Sequence, residues 1–117
     1  MYYFVKFILK RMQVKYGLFI EPNVFGMGLC INHIGGIVIN PRCRIGNYCV
    51  IHQNVTIGND GKIDKAPLIG DNCFIGANAC IIGNIVLGSN VTVGAGAVVT
   101  KNFGSECTLV GVPAQKL

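Results

Sequence analysis

The chain has 117 residues, 51% hydrophobic and 13% charged, which excludes disorder and sets one domain with one modest core. Sixteen glycines without a Gly-X-Y register exclude collagen and point to repeated turns. The net charge of +5 is concentrated at the start: Lys6, Lys10, Arg11 and Lys15 give the first sixteen residues +4, while six basic and five acidic side chains share the rest. With no basic stripe along the body, a nucleic-acid partner is not expected.

Residues 1–16 predict a short helix ended by Gly17, with basic side chains at i, i+4 spacing on one side and Tyr3, Phe4, Phe7, Ile8 and Met12 on the other. Its favoured role is to cap the open end of the repeat unit beyond it, or to pack in an oligomer. The second reading is peripheral contact with an anionic membrane through residues 1–16. The charges interrupt the apolar run every few residues, so neither a signal peptide nor a spanning helix is expected. The expected location is cytoplasmic.

Residues 17–117 form the second unit, governed by a period of six. Counting every sixth residue from Ile39 gives Ile45, Ile51, Ile57, Ile63, Ile69, Ile75, Ile81, Leu87, Val93 and Val99, all branched aliphatics. Glycine comes directly after at Gly46, Gly58, Gly70, Gly76, Gly88 and Gly94. Four places after an aliphatic comes a second, small or apolar slot: Cys43, Cys49, Val55, Cys73, Ala79, Ile85, Val91 and Ala97. Neither the 3.6 period of a helix nor strict alternation accounts for this pattern. A triangular coil does, with three six-residue faces per turn, aliphatics toward the axis, and Gly or Asn at the corners. From Ile20 to about Gly104 nearly five coils are expected, stacked in parallel to a height of roughly 24 Å at about 4.8 Å per coil.

Three places break the rhythm. Residues 20–32 run one residue out of phase with the later coils. At position 33 the inward phase calls for an aliphatic and the chain supplies His33, read either as a functional break or as an irregular first coil with its ring in solvent. Residues 59–67 (NDGKIDKAP) are polar and are expected to loop out, and residues 105–117 form a C-terminal tail. Imidazole is the side chain best suited to general-base work near neutral pH. His52 comes after an inward aliphatic and is expected to point outward in a structural role. The cysteines of the small slot read as compact hydrophobes, reduced, and with no Cys-x-x-Cys pair no metal is expected.

The run GLCINHIGGIVINPRCRIGNYCVIHQNVTIG (28–58) resembles the catalytic coils of the serine acetyltransferase group of hexapeptide acyltransferases. The stretches IGDNCFIGANACIIGNIVLGSNVTVGAGAVVTKN and VGVPAQK continue the resemblance, which covers about residues 16–117. It implies an all-β fold: a single-stranded left-handed parallel β-helix of about five coils, preceded by a short N-terminal helix. It also implies a homotrimer with active sites between neighbouring prisms and acetyl-CoA lying along the coils. Carried over, His33 is the catalytic base. The cofactor groove is then lined by the loop at Gly61, by Gly76 and the backbone of Ala77 and Ala95, and by Lys101 and Lys116 for the phosphates. Gly76 and Gly94 also read as corner residues, and a backbone amide near Gly35-Gly36 is a candidate oxyanion donor.

The departures from the family are equally specific. Serine acetyltransferases carry a large helical domain before the prism, where about sixteen residues stand here. They have aspartate before the catalytic histidine and Arg-His-Pro in the loop; this chain has Asn32 and Lys65-Ala66-Pro67, which puts Asn32 and Lys65 at the acceptor-binding positions. Where the family places a carboxylate the chain has Phe19, and Glu21, two residues on, is the candidate replacement for orienting the imidazole. These departures favour an acetyl-CoA-dependent O-acetyltransferase acting on a hydroxyl of a sugar or glycan precursor, a small molecule or lipid-linked. Serine O-acetyltransferase of cysteine biosynthesis is the alternative, and a non-catalytic β-helix scaffold is the outcome if His33 is inert. A metalloenzyme of the same fold needs three histidines, and two are present.

Overall fold

Aliphatics at every sixth position with small residues between them can be buried together only if the chain winds around its own axis, and it does. The computed structural model describes residues 2–117, with side chains from Tyr3 onward. Helix α1 (Tyr2–Tyr16) is followed by β1 (Leu18–Phe19), β2 (Cys30–Ile31), β3 (Ile37–Ile39), β4 (Arg44–Ile45) and β5 (Val50–Ile51). Then come β6 (Thr56–Gly58), β7 (Leu68–Ile69), β8 (Phe74–Ile75), β9 (Cys80–Ile82) and β10 (Val86–Leu87). The last four are β11 (Thr92–Val93), β12 (Val98–Val99), β13 (Thr108–Val110) and β14 (Gln115–Lys116).

The strands stack into three sheets, one for each face of a triangular prism. The first is β1-β3-β6-β9-β12, the second β4-β7-β10, and the third β2-β5-β8-β11-β13-β14. Every pairing is parallel except the last, where β14 turns back antiparallel on β13. Each coil thus satisfies the backbone groups of the coils above and below.

Ten of the eleven expected inward aliphatics are buried, and so is every residue of the small slot. Each fully buried isoleucine contributes roughly 1.5–3 kcal/mol of transfer free energy. All six cysteines are free thiols, and burial pushes the Cys43 thiol up to about 11. The corners use left-handed backbone at Asn54, Asn72, Asn78 and Asn90, where the short amide tolerates positive φ. Glycine after the aliphatic has a different cause at Gly76: a Cβ there would lie 2.7 Å from the Ala95 nitrogen of the next coil.

Four expectations are corrected. Ile63 is exposed, outside the prism; the polar segment around it adds six residues between Ile57 and Ile69, so the period survives in the sequence while one member leaves the core. His33 does not occupy an inward slot. The inward residue is Ile31, which pairs with Ile51 twenty residues on, whereas Val38 and Thr56 are eighteen apart. The corner at residues 32–36 therefore holds two extra residues, and His33 rides on it, exposed. Residues 25–31 run two, not one, out of phase, as the pairing of Phe25 with Ile45 also shows.

The fourth correction concerns α1. At about 100° per residue its basic and aromatic side chains interleave instead of segregating, and the Arg11 guanidinium lies 5.8 Å from the Phe7 ring centroid. The helix packs beside β1. Its anchor is Gln13, buried, whose Nε2 donates to the Ile20 carbonyl at 2.6 Å, while Tyr3, Phe4, Phe7 and Met12 stay exposed. Gly17 ends the helix at φ 66° and passes its carbonyl to the Ile37 amide at 3.0 Å. No described helix is long and apolar enough to cross a membrane.

Candidate active site

The enlarged corner between β2 and β3 brings both histidines of the chain together with Asn32 and Cys30. Gly35 and Gly36 turn it with φ of 129° and 65°, and the Gly35 carbonyl accepts from the Asn54 amide of the next coil at 2.9 Å. The registers of the third sheet set Asn32 level with His52 and Gly76, in a column that points away from the axis. Asn32 Nδ2 lies 3.1 Å from His52 Nε2, and Cys30 Sγ donates to Asn32 Oδ1 at 3.1 Å. With its oxygen engaged by the thiol, the amide donates to His52, so Nε2 is the acceptor and the ring hydrogen sits on Nδ1. The His33 ring meets His52 edge-on at 5.5 Å between centroids, and His52 in turn meets Phe74 at 4.8 Å.

Glu21 is not brought to His33 within the chain. The pairing of Phe19 with Val38 sets Glu21 level with Asn40, past the end of β3, while His33 precedes its start. Glu21 instead lines a groove of about 410 Å³ between α1 and the first sheet, together with Lys10, Gln13, Phe19 and Val38. Among the described residues no hydrogen bond joins a carboxylate to either imidazole.

The residues expected around a cofactor fall into two groups. Ala77 and Ala95 stack at the corner that enters the first sheet, and Gly96 donates its amide to the Ala77 carbonyl at 2.8 Å. Gly61 and Lys101 lie at the other edge of that sheet, beyond β6 and β12, so these four flank one face. Gly76 is buried in its coil beside them. Lys101 Nζ stands 5.5 Å from the Phe103 ring centroid. Lys116 belongs to β14 on the third sheet and lines a separate groove with Thr92, Glu106 and Thr108.

The loop orders itself. Asp60 Oδ1 accepts from the amides of Lys62 (2.8 Å) and Ile63 (3.2 Å), bonds that hold its carboxyl below the usual range. Arg42 pairs with Asp64 at 2.9 Å, both exposed, which adds little stability. Lys65 is exposed, while Ala66 is buried against the core.

Sequence reasoning misses two residues of the corner. His52 reads as structural because it points outward, and its phase gives no sign of the histidine beside it. Gln53, the next residue, carries a buried Oε1 without a hydrogen-bond partner among the described residues.

Residues 66–101 match the family described as bacterial transferase hexapeptide (six repeats). That match takes in 36 of the 117 residues. The chain is 41% identical over 102 residues to the serine acetyltransferase of Synechococcus elongatus, covering 85% of this chain and 42% of that one. The Neisseria gonorrhoeae serine acetyltransferase in complex with serine superposes with a TM-score of 0.74 at 44% identity, over 78% of this chain and 38% of that one. A serine acetyltransferase in complex with CoA gives 0.74 at 35% identity, over 80% and 38%. This chain thus spans less than half the length of these relatives. The prism is the left-handed β-helix of such hexapeptide-repeat transferases.

These relatives overturn the expected sugar or glycan acceptor, lipid-linked forms included: the similarity runs to serine acetyltransferases. The substituted positions show why they mislead. Ala66 is packed into the core and the Asn32 amide is engaged by Cys30 and His52, so neither substitution builds a surface for a sugar.

Proposed function

We propose that this hexapeptide-repeat protein is an acetyl-CoA-dependent serine O-acetyltransferase with His33 as its general base. The observation that carries the reading is an exposed imidazole on the corner that gains two residues between β2 and β3, in a chain 35–44% identical to the serine acetyltransferases it matches. The His33 imidazole takes the proton of the serine hydroxyl as its oxygen attacks the thioester carbonyl. The tetrahedral intermediate then expels the thiolate of coenzyme A, which the imidazolium protonates. The products are O-acetylserine and free coenzyme A. Backbone amides of the Gly35-Gly36 corner are the donors we assign to the oxyanion.

Acetyl-CoA lies in this proposal along the first sheet, between the Ala77–Ala95 corner and the edge that carries Gly61 and Lys101. Lys65 is assigned to the acceptor, Asn32 being engaged by Cys30 and His52, and Lys116 to a phosphate across the subunit boundary. The assembly is a homotrimer with the site between neighbouring prisms. The exposed apolar side chains of Phe19, Val38, Leu68 and Val86 on the outer faces support an oligomer.

Thiol release from acetyl-CoA with L-serine tests this directly. Wild type is expected to turn over, and His33→Ala to lose activity by roughly 10²–10⁴-fold. Turnover that survives this substitution would remove His33 as the base, and wild type inert toward L-serine would remove the acceptor.

A further inference from the structure

We infer that His52 is a positioning residue for His33, holding the base through an aromatic column in a chain that brings no carboxylate to it. This rests on the reading of His33 as the base. The column climbs three coils. Phe74, in β8, is fixed by pairing with Val50 on one side and Thr92 on the other. His52 stands against it at 4.8 Å with the planes 69° apart, and His33 stands against His52 at 5.5 Å and 89°. Edge-to-face packing of this kind favours one ring orientation over free rotation.

Packing alone leaves His52 able to flip about its own axis, and the second contact removes that freedom. Asn32 donates to Nε2 and is itself held by the Cys30 thiol, so His52 is fixed in both rotation and tautomer. Orienting an imidazole is the task a carboxylate performs in a dyad; here Glu21 lies at the opposite edge of the first sheet and the column fills that role. A base displaced by about 1 Å forfeits up to roughly a hundredfold in rate.

Two readouts test the assignment. In kinetics, His52→Ala is expected to lower kcat on the order of tenfold to a hundredfold with KM for acetyl-CoA unchanged. His52→Phe, which keeps a ring between Phe74 and His33, is expected to recover most of that loss. In nitrogen-15 NMR the chain offers only two imidazoles. His52 is expected to show the Nδ1–H tautomer, Asn32→Ala to convert it to a mixture, and His52→Ala to shift the His33 ring signals.

Wild-type kcat in His52→Ala overturns the inference, as does equal loss in His52→Phe and His52→Ala, or a mixed tautomer in wild type. Should His52→Ala fail to fold, the His52→Phe kinetics and the wild-type spectrum decide. Survival of turnover in His33→Ala would instead strike the base assignment, leaving the spectra of the column as they were.

Discussion

The body of the prism and its first coil are built from the same residue types and obey different rules. From Ile39 onward each coil lies directly over the next: paired residues are eighteen apart where no loop intervenes, twenty-four apart across the looped-out segment and sixteen apart at the last coil. In the first coil the spacing shifts to nineteen at β1 and twenty at β2, Leu18, Ile20, Phe25, Leu29 and Ile31 are only half-buried, and polar side chains meet one another. The base of the proposed reaction sits where the stack is relaxed, at a terminal coil with a neighbour on one side only.

Matched truncations at stacked positions give the largest contrast. Ile75, fully buried, is expected to cost about 2–5 kcal/mol as Ile75→Ala. Ile31→Ala, on the same face two coils away, is expected to cost less than half as much, read by urea denaturation. Equal losses would erase the distinction between body and first coil.

A smaller effect is expected at the corners. Gly76→Ala drives a methyl toward the Ala95 amide and is expected to cost about 1–3 kcal/mol. Gly61→Ala meets nothing within 4 Å and carries only the strain of φ 80°, on the order of 1 kcal/mol. Thermal melts of the two variants rank them.

Excising residues 60–65 joins Asn59 to Ala66 and leaves the aliphatic period intact. The melting temperature is expected to fall by only a few degrees, while KM for acetyl-CoA rises several-fold in the proposed reaction. A collapse of the fold on excision would show that the loop belongs to the body.

The smallest effect concerns the Cys43 thiol. Its pKa of about 11 in the folded chain stands above the ordinary 9.0, so the unfolded chain releases this proton first as pH rises. The contribution is fully present below pH 9 and is lost between about pH 9 and 11. In Cys43→Ala, which places in the slot the residue found at Ala79 and Ala97, the melting temperature is expected to fall less steeply over that window. Parallel curves would show that burial of the thiol has no part in alkaline unfolding.

The body is legible because each aliphatic answers to a copy of itself one coil away, and sequence records that as a period. Ile63 satisfies the count and fails the fold, since nothing in a six-residue period reveals whether six residues are wound in or looped out. His33 stands out for the wrong reason: two extra residues in its own corner move it off the inward phase, and the same two residues expose it. The contacts of Asn32 with Cys30 and of His52 with His33 gather where the spacing between coils is irregular, so no counting rule could pair them. Glu21 is two residues from the expected acid along the chain, but those two residues carry it past the end of a strand.

The loop at residues 59–67 has one more effect, on orientation. Counting in sixes from Ile57 assigns Ile69 to the third sheet and Ile75 to the first; they lie in the second and third. Everything after the loop is turned back by a third of a revolution relative to that count. Six looped-out residues therefore decide which side of the molecule every later residue presents, including Lys101 at the edge of the first sheet and Phe74 beneath His52.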